Sequence, residues 1–193
     1  MTVLLRQALA GLRVLLLMTV LLGVAYPLVI WGVGQAFGGR ADGSLITRDG
    51  EVVGSSLIGQ AFEADTWFLP RPSAAGDGYD PLSTGASNLG PQNEELLASV
   101  QERRAEVAER EGIDPGAVPP DALTASGSGL DPHISPDYAR LQVARVAQAR
   151  SLDPQQVRAL VDKHTQGRIL GFLGAERVNV LELNLGIDEL AAD

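Results

Sequence analysis

From position 14 to position 39 this chain contains no charged residue, and the run opens Val14-Leu15-Leu16-Leu17-Met18-Thr19-Val20-Leu21-Leu22. A bilayer core of ~30 Å needs about 20 apolar residues in a helix, so this stretch is long enough to cross one. Soluble helices rarely stay apolar for so long, which argues against a buried helix of a soluble fold. A cleaved signal peptide shares the basic start but has an apolar region of only about 7–15 residues. Ala25 and Ala36 lie near cleavage points without forming an A-x-A site. The expectation is an uncleaved anchor over residues 14–39, marked by Val14, Leu22, Pro27 and Trp31, with 1–13 a short basic lead. Membrane helices tolerate proline, and Trp31 suits an interface.

Charge divides sharply at this boundary. Arg6 and Arg13 precede it with no acid, whereas 13 basic and 24 acidic residues follow from Arg40 onward, a net of −11. The basic bias across the anchor is slight, but with the signal-anchor pattern it favours a cytoplasmic N-terminus and an exported domain. Such acidity excludes general nucleic-acid binding. The absence of cysteine excludes a disulfide scaffold, a thiol nucleophile and cysteine-ligated zinc. Lys163, the one lysine, is followed by His164, so there is no Walker-type phosphate loop.

Residues 40–193 are expected to form one domain. Ser44-Leu45-Ile46-Thr47 and Glu51-Val52-Val53 flank Arg48-Asp49-Gly50, a hairpin signal. From Phe62 to Pro91 the chain is rich in Gly, Pro, Ser and Asn, and a stretch so long is functional or a poorly ordered insert. A helix is predicted over 92–111, with Leu96, Leu97, Val100 and Val107 on its apolar face and Gly112 as its stop. Ser135-Pro136 and Asp153-Pro154 each read as an N-cap followed by a first-turn proline. Residues 178–185 alternate well enough to predict a strand, with a phase shift at Val180-Leu181. Strands and helices without a βαβ rhythm indicate an α+β fold.

Catalytic signatures fail in detail. Gly85-Ala86-Ser87-Asn88-Leu89 begins like a nucleophile elbow but has Leu89 where the second glycine belongs. Asp131-Pro132-His133 offers two metal ligands and no third, which favours local hydrogen bonding. His164 near a helix end reads as a surface residue compensating the helix dipole. Asp162-Lys163-His164-Thr165 lacks the Thr-Gly that follows lysine in the phosphorylated motif of P-type ATPases. No catalytic residue and no metal site is assigned. The small-residue loops can present backbone N–H groups to an anion or a partner, or simply form a turn network.

These loops carry a family likeness. The segments are Arg71-Pro72-Ser73-Ala74, Ser87-Asn88-Leu89-Gly90-Pro91-Gln92-Asn93, and Val118-Pro119-Pro120-Asp121, which leads to the run from Thr124 through Ser126-Gly127-Ser128-Gly129-Leu130-Asp131-Pro132-His133 to Pro136. With Arg177-Val178-Asn179-Val180-Leu181-Glu182-Leu183-Asn184, they resemble the C subunit of the Kdp-type potassium-transporting ATPase, in order and over nearly the whole chain.

The resemblance implies an accessory, non-catalytic subunit of a bacterial inner-membrane potassium pump. Its implied partners are a potassium-selecting channel-like subunit, a P-type catalytic subunit and a small membrane subunit. It also implies a catalytic chaperone that raises the catalytic subunit's ATP affinity, with ATP held only in a transient complex. The family's proposed nucleotide-touching stretch resembles Leu-Ser-Gly-Gly-Gln; here it reads Leu82-Ser83-Thr84-Gly85-Ala86, departing at Thr84 and Ala86. Candidate nucleotide or partner contacts are Ser83, Gly85, Ser87, Asn88, Ser126, Gly127, Ser128, Gly129, Asp131 and His133. The alternatives are a membrane-anchored nucleotide-binding module with a cytoplasmic domain and an unrelated anchored hydrolase.

Overall fold

A computed structural model describes residues 2–192. Compactness divides the chain between Leu45 and Ile46. In the first unit, α1 (Val3–Val20) runs through a π-helical turn, Leu21–Ala25, into α2 (Tyr26–Gln35), and a single turn, α3 (Gly38–Ala41), follows. The widened turn sits just ahead of Pro27, whose ring and missing N–H disrupt ordinary helical bonding to Gly23. The Tyr26 N–H instead donates to Leu21 O.

The helix expected over 14–39 has other bounds in the structure. It begins eleven residues earlier, at Val3, because Leu and Ala around Arg6 are strong helix formers. It ends at Gln35 rather than Gly39. The 33-residue helix Val3–Gln35 is long and apolar enough to cross a membrane. Its part beyond Arg13 spans ~33 Å at 1.5 Å per residue, close to a hydrocarbon core. None of its described residues is buried.

A hairpin of β1 (Leu45–Arg48) and β2 (Glu51–Ser55) begins at the division, as expected. Asp49 and Gly50, at φ 52° and 84°, form a turn of the kind that matches strand twist. An irregular segment then leads to α4 (Glu94–Glu111), whose N-cap Asn93 accepts from the N–H groups of Glu95 and Leu96. Left-handed Gly112 stops it, as anticipated. Val107 is buried and Val100 half-buried, but Leu97 faces solvent.

Two short 3₁₀ turns, Pro115–Ala117 and Pro120–Ala122, precede β3 (His133–Ile134), α5 (Pro136–Leu141), α6 (Val143–Arg150) and α7 (Pro154–His164). Ser135 and Asp153 cap α5 and α7 as expected. β4 (Thr165–Gln166), β5 (Arg177–Asn179) and α8 (Val180–Ala192) complete the chain. The small sheet is antiparallel in the order β3-β5-β4, with Ile134 and Thr165 both opposite Val178. Together these elements form a mixed α+β unit.

The strand expected over 178–185 holds only for its first two residues. β5 ends at Asn179, whose side-chain oxygen accepts from the Glu182 N–H and so starts a helix. Val180, Leu181, Leu183, Asn184 and Ile187 are then buried at helical spacing. Local alternation gave way to a capped helix packed against the core.

The glycine- and proline-rich insert is hydrogen-bonded into the fold. Phe68 is fully buried, and its N–H and C=O both pair with the Asn184 amide, at 2.8 and 3.0 Å. Leu69 pairs in the same way with Gln142, at 2.7 and 3.1 Å. Arg145 holds Trp67 O and Asp65 O while its Nε donates to Glu111 at 2.8 Å. Arg150 binds Thr66 O and lies over the Trp67 ring. Side-chain amides and guanidinium groups thus supply the bonds that a sheet neighbour would otherwise give. Phe68 is consequently part of the core, beside Val146, Val157, Val161, Val178, Leu183 and Ile187.

Candidate functional site

The second small-residue loop is a knot of backbone bonds. Gly129 N donates to Ser126 O, Leu130 N to the Ser128 hydroxyl, and Asp131 N to the Ser126 hydroxyl. The first loop docks against it. Gly85 N and the Thr84 hydroxyl both donate to Ser128 O, at 2.9 and 2.7 Å. The Ser73 hydroxyl donates to Gly129 O at 2.7 Å and accepts from the N–H groups of Ala75 and Tyr79. Gly59 N donates to Leu130 O at 2.8 Å.

Gly129 makes this junction sterically exclusive. At φ +70° it stands where a Cβ would lie 2.7 Å from Ala75 N and 2.8 Å from Gly85 O. Gly127 is different, with open space around its Cβ position. Its small size is not needed at that point.

At the edge of the knot, Asp131 Oδ1 faces both the backbone N–H and Nδ1 of His133, at 3.0 and 3.1 Å. Arg71 approaches Asp131 Oδ2 at 3.4 Å and donates to Thr124 O. Burial pushes the Asp131 carboxyl up, but the bonds from His133 and the nearby cationic charges outweigh this and hold it below its ordinary value. The Tyr79 hydroxyl donates to Arg71 O. Burial, with help from Tyr138 and Asp131, raises its pKa, so that phenol keeps its proton. Tyr138 is pushed up to about 12, chiefly by burial.

This arrangement is built for shape. The serine nearest in sequence, Ser135, gives its hydroxyl to Asp121 and not to His133, so Asp131 and His133 orient each other without activating that serine. Arg71 lies between two open clefts of ≈ 360 and ≈ 370 Å³. The first also carries Tyr79, Arg103 and Arg110; the second carries Asp121, Asp137 and Glu176.

The structure therefore brings Gly85, Ser126, Ser128, Gly129, Asp131 and His133 together, with Ser126 and Gly129 buried in the junction and Ser83 exposed two positions before Gly85. Ser83 N is tied to Asp80 O. Gly127 is exposed on the same loop, while Ser87 and Asn88 lie farther along the first loop, where Asn88 donates to Ala86 O. Ser73, Tyr79 and Gly59 are additions that single positions in the sequence did not reveal. Ser73 stands in the Arg71-Pro72-Ser73-Ala74 segment that carried the family likeness, and the turn-prone Gly76-Asp77-Gly78-Tyr79 was the other available signal. His164, expected on the surface, is half-buried, with its ring against Gly186 and Nδ1 3.0 Å from Leu160 O.

Comparison with known proteins matches residues 8–189 to the family described as KdpC: K+-transporting ATPase, c chain. The chain belongs to this family. It is 60% identical over 191 residues to the potassium-transporting ATPase KdpC subunit of Kineococcus radiotolerans, covering 99% of this chain and 97% of that protein. It is 53% identical over 187 residues to the KdpC subunit of Mycobacterium tuberculosis H37Rv, covering 96% and 99%. With the KdpC subunit of Rhodospirillum rubrum it shares 54% over 173 residues, covering 89% and 90%. The resemblance carried by the loops and the final strand–helix segment is thus a full-length relationship.

Proposed function

We propose that this KdpC-family chain is an accessory, non-catalytic subunit of a bacterial ATP-driven potassium importer. It holds the assembly together with its folded unit outside the cytoplasm. The observation that carries this reading is the near full-length family match, joined to a surface knot whose donors are spent on shape. Its partners in this reading are the potassium-selecting subunit, the P-type catalytic subunit and a small membrane subunit, and the apolar helix is its single span. Complementation of potassium-limited growth, with co-purification of the other subunits, tests the assembly role. A strain lacking this chain that assembles and grows normally would overturn it.

Orientation has its own test. The chain has no cysteine, so Ser151→Cys provides a single reporter. It is expected to react with an impermeant thiol reagent in spheroplasts, and protection until lysis would place the unit inside.

The finer reading is a chaperone that raises the catalytic subunit's ATP affinity in a transient ternary complex. Gly85 N and the Thr84 hydroxyl already donate to Ser128 O, which weighs against the 82–86 stretch cradling a phosphate. An indirect influence through subunit contacts fits this geometry better. ATP titration of the assembled pump with and without this chain measures it. An unchanged apparent KM for ATP would remove the chaperone role.

A further inference from the structure

Residues 169–173, Ile-Leu-Gly-Phe-Leu, are an apolar sequence turned outward. Leu170 is 79% exposed, Phe172 70%, Ile169 58% and Leu173 48%. The turn is closed on itself: Ile169 N donates to Leu173 O at 3.0 Å and Leu173 N to Ile169 O at 2.9 Å. Phe172 N donates to Ile169 O, and Gly171 N to Arg168 O. Leu170 and Gly171 adopt φ 54° and 83°, a left-handed pair that a leucine enters only with strain. The fold thus holds a self-bonded turn whose tip is hydrocarbon, with four of the five N–H groups of residues 169–173 paired locally and the carbonyls of Leu170, Gly171 and Phe172 left open.

The flanks add a second observation. Residues 163–175 contain Lys163 and Arg168 and no acid; Asp162 and Glu176 bound the stretch, and Asp162 is paired with Arg140. Apolar side chains on a self-bonded turn beside cations match the boundary between acyl chains and anionic headgroups. The open carbonyls of Leu170, Gly171 and Phe172 need donors, which the hydrated headgroup boundary supplies and the acyl core does not. Leu and Phe supply apolar contact, and Arg168 can keep its guanidinium at headgroup level. Basic residues near such a surface are attracted by anionic lipid. The same chain also carries a helix apolar enough to bring it to a membrane.

We propose that residues 168–173 form a second membrane contact, in which Leu170 and Phe172 enter the headgroup–acyl boundary of a bilayer containing anionic lipid. The contact rests on the reading that Val3–Gln35 anchors the chain.

The test uses the full chain with single cysteines carrying an environment-sensitive fluorophore. Probes are placed by Leu170→Cys or Phe172→Cys at the tip, Ser151→Cys on the folded unit and Leu22→Cys in the anchor. Each labelled protein is reconstituted in phosphatidylethanolamine vesicles with phosphatidylglycerol, after its thermal transition is shown to match the parent. Both tip probes are expected to shift to the blue and to lose at least about half their emission to lipids spin-labelled near the carbonyl, while the Ser151 probe does neither. Arg168→Glu, or omission of phosphatidylglycerol, should reduce the quenching. A tip as water-exposed as Ser151 while Leu22 is quenched would overturn this contact and leave the anchor standing. An unquenched Leu22 would overturn the anchor itself and the contact with it. Tip protection that appears only when the other pump subunits are added, without lipid quenching, would assign the projection to a protein partner and also overturn it.

Discussion

Gly129 and Gly127 look equivalent in the sequence, two residues apart in the same Ser-Gly repeat, yet they stand in opposite environments. Gly129→Val would drive a β-branched side chain into Ala75 and Gly85 at positive φ. Strain of this kind costs ~1–3 kcal/mol, and the clash with backbone adds to it. Gly127→Val has open space at the first carbon. Thermal unfolding of the purified chain should therefore fall by roughly 4–12 °C for Gly129→Val and by almost nothing for Gly127→Val. Equal shifts would mean that the two loops are not docked as described. Asp131 contributes through its charge. Its folded-state pKa is depressed, so the stabilisation is present above the ordinary value of 3.8 and is lost as pH falls through the lower folded value. Asp131→Asn removes that dependence. The stability gap between parent and variant, read by urea unfolding, should be widest near neutrality and narrow steadily below about pH 4. A gap that is constant with pH would show that the loss comes from shape and not from charge.

Helix starts and stops were legible because each is fixed by one or two adjacent residues. Ser135-Pro136, Asp153-Pro154, Gly112 and the Asp49-Gly50 turn all act where the sequence places them. The failures involve elements whose state depends on distant partners. Residues 180–185 alternate like a strand, but Asn179 both caps the following helix and donates to Ser56 O, 123 positions away. The segment around Phe68 reads as insert because its partners, Gln142 between α5 and α6 and Asn184 in α8, look like ordinary polar residues. The candidate surface was half legible for the same reason. Gly85 and residues 126–133 were marked by composition and Ser73 by its place in the family-like Arg71–Ala74 segment, whereas Gly59 joins them only through folding. The amide clamp yields a sharp prediction. Asn184→Leu keeps the branched four-heavy-atom side chain but leaves the N–H and C=O of fully buried Phe68 without their partner. At about 1–3 kcal/mol for each orphaned buried group, the loss should be roughly 2–6 kcal/mol. Chemical denaturation measures it, and a change below about 1 kcal/mol would show that the clamp is dispensable.

Across the whole molecule, the two units meet different physical demands. No described residue of α1, the π-helical turn, α2 or α3 is buried, and those apolar side chains need an apolar solvent around them. Every core residue comes from the second unit, beginning in the irregular segment at Phe68 and ending in α8 at Ile187. Roughly 150 residues suffice to bury a stable core without help from a membrane helix. Replacing the first 45 residues by a cleavable export signal should therefore release a folded unit. Its thermal transition should lie within about 3 °C of that of the full chain, because the core contacts are unchanged. Function should not survive equally well. A tethered subunit meets its partners at an effective concentration set by its confinement, commonly in the millimolar range, and a released one relies on its free affinity alone. Potassium-limited growth should fail, or need strong overproduction, even though circular dichroism and unfolding of the released unit look normal. Full growth at ordinary expression would show that the apolar helix delivers the unit across the membrane and is not needed to retain it there. An unfolded product would instead mean that the core depends on contacts from the first 45 residues.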